Sequence, residues 1–245
     1  MFKKCVMSAA FILALCACNS ETESDLVETK DIWAGFKLVS DGSITRVNAE
    51  LNVNDISGSN VVLSDTDTLQ AVVNSSVVTL KKDTDFLDVD YQAYINATED
   101  NQLFDIIFGR SNGISASSNV ELPLNFIILT PSNEQPFKID STLTLQLDGT
   151  DPNSTSYVEL TSSCITLSND SLIQSGTLEL SSSHLEIPLE NLDMFKNTLI
   201  DHSKSCNLTL SVIRERFGNI ADEFTDQSYI KAQQSRAIKN MTLTF

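Results

Sequence analysis

The sequence predicts an all-β protein built from antiparallel β-sandwiches. Apolar and polar residues alternate with a period of two in many short segments, and clusters of Ser, Asn, Asp and Gly separate these segments. In 47–53, for example, Val47, Ala49 and Leu51 alternate with polar residues. The sequence lacks the alternating strand and helix patterns that a doubly wound or barrel fold requires.

The same alternation recurs along the whole chain. It is found in segments 69–73, 89–95, 104–108, 120–128, 143–147 and 206–212. A strand covered on one side presents apolar residues to the core and polar residues to solvent. Many short strands of this kind are typical of immunoglobulin-like or fibronectin-like sandwiches. We therefore predict two tandem immunoglobulin-like domains, with one larger sandwich as the alternative.

A single short helix is predicted within 190–200. Leu192, Phe195 and Leu199 recur there at helical spacing, shortly after Pro188.

A domain boundary is predicted at the proline-containing, polar segment 130–136, because prolines remove donors from a sheet and polar neighbours favour a solvated linker. The predicted domains are 31–130 and 131–245.

The first 17 residues are predicted to be a secretory signal peptide. Lys3 and Lys4 precede an apolar run over 5–17, broken only by Ser8. This run is shorter than the roughly 20 residues that a membrane-spanning helix needs. The segment is therefore expected to be removed rather than retained as an anchor.

The end of this run, Leu15-Cys16-Ala17-Cys18, resembles the lipobox of bacterial lipoproteins, with Cys16 where a smaller residue is commoner. The resemblance implies that Cys18 becomes the lipid-carrying first residue of a protein held in the cell envelope. Multiple acyl chains anchor a protein stably. Asn19 in the next position favours the outer membrane of a Gram-negative bacterium under enteric-type sorting. The alternative is an ordinary secretory signal.

Residues 18–30 are predicted to form a lipidated acidic tether, because they contain few apolar side chains. The whole chain has a formal net charge of −17, and removal of Lys3 and Lys4 would make it more negative. Such a charge excludes nucleic acid as a partner, since phosphates would be repelled. The expected partners are the membrane, through the lipid on Cys18, and an envelope or extracellular protein, on either the periplasmic or the exposed face.

Cys164 and Cys206 are predicted to form a disulfide. Of the five cysteines, Cys5 and Cys16 leave with the signal peptide and Cys18 is lipidated, so two remain. Two cysteines in an exported protein usually pair. The alternative is a thiol or metal site, although neither cysteine belongs to a C-x-x-C motif.

No catalytic site is identified in the sequence. His184 and His202 are the only histidines, which limits general-base chemistry. The contiguous residues Asp201, His202 and Ser203 do not make a triad, because a triad must converge in space. Nucleophile-elbow and phosphate-loop motifs are absent.

No cofactor is predicted, with calcium as the alternative. Asp83, Asp85, Asp88 and Asp90 form an acidic cluster, and oxygen ligands suit Ca²⁺. The same residues also fit a solvated strand edge. Two further acidic pairs are Asp65 with Asp67 and Asp148 with Asp151.

Arg110 and Arg214 are the candidate ligand contacts, because each closes an apolar strand in an acidic protein. The alternative for both is a structural ion pair. Together these observations predict a non-catalytic interaction or adhesion module. The alternative function is an accessory hydrolase or a carbohydrate-binding lipoprotein.

Overall fold

The computed structural model describes residues 21–85, 88–132 and 136–245. The predicted signal peptide and the lipid-carrying Cys18 lie outside these residues. Within the described ranges, no helix has the length and apolar character needed to cross a membrane.

The described chain is all-β, which confirms the predicted fold class. Its strands are β1 Glu21–Glu23, β2 Ile32–Ser40, β3 Thr45–Val53, β4 Asn60–Val62, β5 Thr68–Val73, β6 Ser76–Thr79, β7 Lys81–Asp85, β8 Asp88–Ile95, β9 Leu103–Gly109, β10 Ser115–Glu121, β11 Ile128–Thr130, β12 Phe137–Lys138, β13 Thr142–Leu147, β14 Thr155–Ile165, β15 Ser171–Glu179, β16 His184–Pro188, β17 Cys206–Phe217 and β18 Tyr229–Thr244.

The first sandwich packs β8, β3, β2 and the start of β18 against a second sheet of order β10-β9-β5-β6. Inward-facing residues of both sheets form its core, where burial of each large apolar side chain contributes roughly 1.5–3 kcal/mol. This core includes Phe36, Leu51, Tyr91, Leu69, Ile106 and Phe108.

The second sandwich packs β15, β14, β17 and the end of β18 against a three-stranded sheet of order β11-β13-β16. Its core is a separate cluster that includes Leu145, Val158, Leu160, Ile187, Leu210 and Leu243.

The long strand β18 belongs to both sandwiches. Residues 229–234 pair in parallel with β2, and residues 231–243 pair in antiparallel with β17, so the main sheet is continuous. The first core also contains Phe224 and Ile230, and therefore uses residues on both sides of the predicted boundary at 131. The division into domains 31–130 and 131–245 stays a prediction.

Gly218 directly follows β17, where the chain passes close to β10. A Cβ at this position would overlap the backbone carbonyl of Asn119. Asn119 and Asn219 exchange backbone hydrogen bonds of 2.9 and 2.8 Å at the same crossing. A glycine is required here because the two backbones approach so closely.

Residues 21–30 lie against the first sandwich, so the predicted acidic tether is wrong for this stretch. β1 pairs in parallel with β4, and the 3₁₀ turns Ser24–Leu26 and Thr29–Asp31 follow. Ser24 is fully buried, and its Oγ donates to Asp67 Oδ2 at 2.8 Å. The polar side chains are ordered by hydrogen bonds to distant residues, which local composition does not reveal.

The predicted helix within 190–200 is also wrong. The chain forms two 3₁₀ turns there, Leu189–Asn191 and Asp193–Phe195. Phe195 and Met194 are buried in the second core. The apolar residues at helical spacing in this segment therefore belong to a short irregular connection that packs on the second core, and not to one face of an α-helix.

The disulfide between Cys164 and Cys206 is confirmed. It joins the end of β14 to the start of β17, two neighbouring strands of one sheet. In antibody-type domains the bridge instead crosses between two sheets. The arrangement here is therefore a different one.

Candidate functional site

Arg110 is a structural residue that holds the N-terminal segment. Its Nη1 donates to the backbone carbonyl of Val27 at 2.7 Å and to Thr29 Oγ1 at 3.1 Å, and its Nη2 donates to the carbonyl of Ser24. Its Nε lies 3.5 Å from Asp67 Oδ2, and both side chains are largely buried. Arg110 thus makes the ion pair considered as the alternative, together with backbone contacts.

Arg214 plays a similar part at the junction of the two sandwiches. Its Nη1 donates to the carbonyls of Leu124 and Asn125 at 3.2 and 3.1 Å, and its Nη2 donates to the carbonyl of Gly149. The guanidinium carbon lies 4.7 Å from the ring centroid of Phe126. One buried side chain therefore binds two carbonyls of the irregular segment 122–127, which connects the two sandwiches.

A buried carboxylate completes this junction. Asp151 accepts hydrogen bonds from the Leu124 N–H at 2.9 Å and from Ser154 Oγ at 2.7 Å, and its Oδ2 lies 2.9 Å from Arg216 Nη2. Burial by itself would raise the pKa of Asp151, but these hydrogen bonds, a further one from the Asn153 N–H and the charge of Arg216 lower it. The group is consequently ionised and fully engaged.

Arg214 retains one donor without a partner. The side chain is 2% exposed, and among the described residues its Nε has no hydrogen-bond acceptor. Burial lowers the pKa of Arg214, while the nearby carboxylates of Asp151, Asp148 and Asp100 raise it. An unpaired buried donor costs free energy, on the order of 1–3 kcal/mol.

Arg214 also lines a cavity of about 710 Å³ at the end of the second sandwich. We call this space the Arg214 pocket. Its walls come from the loop after β13, from the start of β14, and from the end of β15 with the turn that follows. The lining residues are Leu147, Thr150, Asp151, Pro152, Ser154, Thr155, Ser156, Tyr157, Thr177, Glu179, Leu180, Ser181, Ser182 and Arg214.

The two histidines lie in different settings. His184 is exposed, with Nε2 3.0 Å from Glu186 Oε1 and Nδ1 3.1 Å from Gln146 Oε1. His202 stacks on Phe245 with ring centroids 4.1 Å apart.

The contiguous Asp201, His202 and Ser203 do not form a catalytic chain. Ser203 Oγ donates to Asp201 Oδ1 at 2.6 Å, so serine and aspartate bond to each other and the histidine is not between them.

The acidic cluster considered for calcium lies on the β7–β8 hairpin. Asp83 and Asp90 are cross-strand partners, whereas the side chains of Asp85 and Asp88 lie outside the described part of the structure. Asp83 accepts a hydrogen bond from Gln92 and Asp90 one from Asn48. Within the described residues, no three His, Cys, Asp or Glu side chains are grouped to hold a metal ion.

Sequence reasoning missed a second surface, on the outer side of the main sheet. Aromatic and cationic side chains face outward there from β8, β3, β2, β18 and β17. We call this surface the aromatic face and define it by Lys37, Arg46, Tyr94, Phe217, Tyr229 and Lys231.

Lys231 is the centre of the aromatic face. Its Nζ lies 5.8 Å from the Phe217 ring centroid and 5.6 Å from that of Tyr229, within the range of cation–π contacts. The same Nζ makes a 3.0 Å ion pair with Glu215. Lys37 is the cross-strand neighbour of Lys231. Partial burial and then the positive charges of Lys231 and Arg46 lower the pKa of Lys37.

Phe217 and Tyr94 are the most exposed rings of this face, at 62% and 59%. Trp33 lies on the same side of β2 as Lys37 and packs edge-on against Tyr229, with ring centroids 5.8 Å apart at an interplanar angle of 73°. The aromatic face could have been predicted from the sequence because its aromatic residues occupy positions in their strands whose side chains point away from the core. These positions are clear only once strand partners are known, because β2 is apolar on both sides.

No family model matches this chain, and no curated protein matches it either. Among solved structures, it is similar to the fibronectin(III)-like modules of CbhA from Clostridium thermocellum at 13% identity, with 84% of this chain and 90% of that chain covered and a TM-score of 0.21. It is similar to DIP-gamma IG1+IG2 at 8% identity, with 86% and 98% covered and a TM-score of 0.25. It is similar to the chicken CNTN1 FN1–FN3 domains at 9% identity, with 82% and 65% covered and a TM-score of 0.30. Scores of this size carry no conclusion about function, and the all-β fold class rests on the strands themselves.

Proposed function

We propose that this chain is a non-catalytic interaction module of the bacterial cell envelope, anchored to the outer membrane by a lipid on Cys18, and that its aromatic face binds a protein partner. The observation that carries the proposal is the exposure of Phe217 and Tyr94 beside the cations Lys37, Arg46 and Lys231. Aromatic residues and arginine are enriched in protein interfaces and supply most of their energetic hot spots.

The backbone beneath the face favours binding. Five neighbouring strands carry the face and are hydrogen-bonded in one sheet, so the contact residues are held in position before a partner arrives. A preorganised surface loses less conformational entropy on association than a flexible one. The cations of the aromatic face further favour a partner segment that carries carboxylates, and the positions of these charges would set the orientation of that segment.

Photo-crosslinking in intact cells tests the proposed face. A benzoyl-phenylalanine would replace Phe217 or Tyr94 in the full chain. Leu167 provides the matched control, because it is 71% exposed but lies in the turn between β14 and β15. We expect a discrete protein adduct from Phe217 and from Tyr94 and none from Leu167. The adduct should weaken when Lys231→Glu reverses the central charge. Equal adducts from all three positions, or none from the face, would contradict the proposal.

The lipid anchor has its own test. We expect the wild-type protein to sediment with membranes and to carry acyl mass on its N-terminal peptide. Cys18→Ser should release it into the soluble fraction without that mass, because the thioether can no longer form. Cell fractionation measures the location of the protein, and mass spectrometry measures the acyl mass. A Cys18→Ser protein that stays with the membrane without acyl mass would contradict the proposed lipid anchor.

A further inference from the structure

We infer that this chain forms a two-fold symmetric dimer, in which β15 pairs in antiparallel with the β15 of a second copy. β15 is the last strand of the main sheet, and among the described residues it pairs only with β14. It runs over nine residues, and Ile173 on its outer face is 69% exposed. The inference rests on the backbone groups that β15 directs outward, on the symmetry of its sequence, and on its lack of the features that protect other edges.

The odd-numbered residues of β15 direct their backbone groups to the open side of the sheet. At one end of the β14–β15 hairpin the Thr166 N–H donates to the Asp170 carbonyl at 2.8 Å, and at the other end the Leu180 N–H donates to the Ser156 carbonyl at 3.0 Å. The pairing between these ends is continuous. In an antiparallel pair, residues that bond to the neighbouring strand alternate with residues whose N–H and C=O point away from it. Even-numbered residues therefore bond to β14, and the N–H and C=O groups of the odd-numbered residues between 171 and 179 face outward.

The side chains of β15 are arranged symmetrically about Ser175. A two-fold axis at Ser175 places Ile173 of one copy opposite Thr177 of the other on the outer face. On the inner face it places Leu172 opposite Leu178, and both of these leucines are only partly buried against the second core. Each pair occurs twice by symmetry, and β-branched or apolar cross-strand pairs stabilise a sheet. The same register makes all the odd-numbered residues hydrogen-bonded pairs, so the outward N–H and C=O groups obtain partners.

The charges of β15 permit this contact. Glu179 is the only charged residue of the strand, and in the proposed register it lies opposite Ser171 of the second copy, so no like charges face each other. The net charge of −17 opposes self-association at longer range, and salt screens that repulsion. The dimer is therefore expected to become more stable as the salt concentration rises.

Other sheet edges of the protein carry features that hinder pairing with another chain. β7 begins with Lys81 and Lys82, and β16 carries Glu186 and ends at Pro188. β1, β6 and β11 have four residues or fewer. Charged side chains, prolines and short length are the usual means by which proteins protect an edge strand. β15 is long and contains no lysine, arginine or proline, and its symmetric sequence favours a second copy over an unrelated strand.

Sedimentation equilibrium on the full chain carrying Cys18→Ser, exported so that its disulfide forms, tests the inference. Protein concentrations from about 5 μM to about 500 μM cover the dissociation constants expected of a weak dimer. We expect a monomer–dimer equilibrium within this range. Raising the NaCl concentration from about 0.05 M to about 0.5 M should strengthen the association, because the screening length becomes shorter.

Charged variants at the two-fold axis test the register. Ser175 faces its own symmetry mate in the proposed dimer and is exposed in the single chain, so its variants should fold. Ser175→Lys and Ser175→Glu each place two like charges opposite one another and should weaken association at least about tenfold. An equimolar mixture of the two variants places opposite charges at the axis and should restore the dimer. Ser117→Lys, at an exposed serine on β10, is the control and should leave association unchanged.

Photo-crosslinking in intact cells identifies the occupant of the edge. With a benzoyl-phenylalanine in place of Thr177, we expect an adduct of twice the mass of the chain. An adduct with a different protein and no dimer would show that β15 accepts a foreign strand, and would overturn the inference.

Two results from sedimentation would also overturn it: a monomer at every protein concentration, or a mixture of the Ser175 variants that associates no better than either variant alone. The dimer and the aromatic face can be tested separately. Lys231 lies on β18, and β17 and β14 separate that strand from β15, so Lys231→Glu should leave the dimer intact. Failure of the dimer test likewise leaves the adducts expected from Phe217 and Tyr94 unaffected.

Discussion

At the scale of single residues, buried arginines hold irregular backbone in place. Arg110 and Arg214 each donate to carbonyl oxygens in segments that lack a strand partner for those groups. Buried carbonyls must be paired, and a guanidinium can satisfy several at once. Both arginines therefore stabilise connections between elements. The Nε of Arg110 also pairs with Asp67, whereas the buried Nε of Arg214 has no acceptor among the described residues.

Asp151→Asn is expected to destabilise the protein by about 1–3 kcal/mol near neutral pH, because it removes a buried charged acceptor from the Leu124 N–H and Ser154 Oγ and leaves Arg216 with Glu121 in place of two carboxylate partners. The pKa of Asp151 is lower in the folded than in the unfolded chain, so its contribution is complete above the unfolded pKa of about 4 and is lost as pH falls through the folded value.

Urea unfolding followed by tryptophan fluorescence measures this dependence. The difference between wild type and Asp151→Asn should be constant between about pH 5 and 8 and should shrink below about pH 4. A difference that grows on acidification would contradict the assignment.

At the scale of elements, the second sandwich is closed by a covalent link and the first by its N-terminal segment. The bridge from Cys164 to Cys206 fastens β14 to β17 across a sequence separation of 42 residues. The segment 21–31 covers the first sandwich through β1 and the contacts of Ser24. Both restrict the conformational freedom of a long stretch of chain. The disulfide does so by a covalent bond, and the N-terminal segment does so by buried hydrogen bonds.

The double variant Cys164→Ala, Cys206→Ala is expected to lose about 4 kcal/mol of unfolding free energy, since the unfolded chain regains the entropy of an open loop. Chemical denaturation of oxidised protein measures the loss. Wild-type protein treated with a reductant serves as the control and should unfold at nearly the same denaturant concentration as the variant. An unchanged midpoint in the variant would show that the bridge contributes nothing to stability.

Ser24→Ala is expected to cost about 1–3 kcal/mol, because it leaves both Asp67 Oδ2 and the Ser64 N–H short of a partner in a buried site. Ser57→Ala is the matched control. Ser57 makes a similar hydrogen bond to Asp55 in an exposed turn, so its loss should change stability by less than about 0.5 kcal/mol. Equal effects of the two variants would contradict the role of the buried segment.

At the scale of the whole molecule, the two sandwiches are joined by shared structure rather than by a free linker. β18 pairs with β2 in one sandwich and with β17 in the other. Gly218 and the arginines around segment 122–127 close the same junction. The aromatic face lies over this shared part of the sheet, which makes its geometry dependent on both halves.

Shared strands predict cooperative unfolding, and Trp33 provides a reporter because it is the only tryptophan and lies on β2. Leu208→Ala removes a fully buried side chain from the second core and should cost about 2–5 kcal/mol. We expect the Trp33 fluorescence transition to move to lower denaturant by the same amount as the circular-dichroism transition.

Leu69→Ala, in the first core, is the control and should shift both signals in the same way. If Leu208→Ala leaves the Trp33 transition in place, the two sandwiches unfold as separate domains.

The sequence by itself determined the fold class and the disulfide. Strand alternation is a local consequence of burying one face of a sheet, so it can be read from residues such as Val47, Ala49 and Leu51. The pairing of Cys164 with Cys206 followed from elimination, since Cys18 was expected to be lipidated and no other cysteine was expected to remain free in the mature chain. The sequence also singled out Arg110 and Arg214, although not what they contact.

Only the tertiary structure decided how these parts meet. Residues 21–30 are polar by composition and ordered by partners such as Asp67, and the helical spacing near Phe195 proved to be two 3₁₀ turns. The aromatic face and the Arg214 pocket combine residues far apart in the chain. Strand partners are set by long-range packing rather than by local propensity, so no single segment of the sequence contained either site.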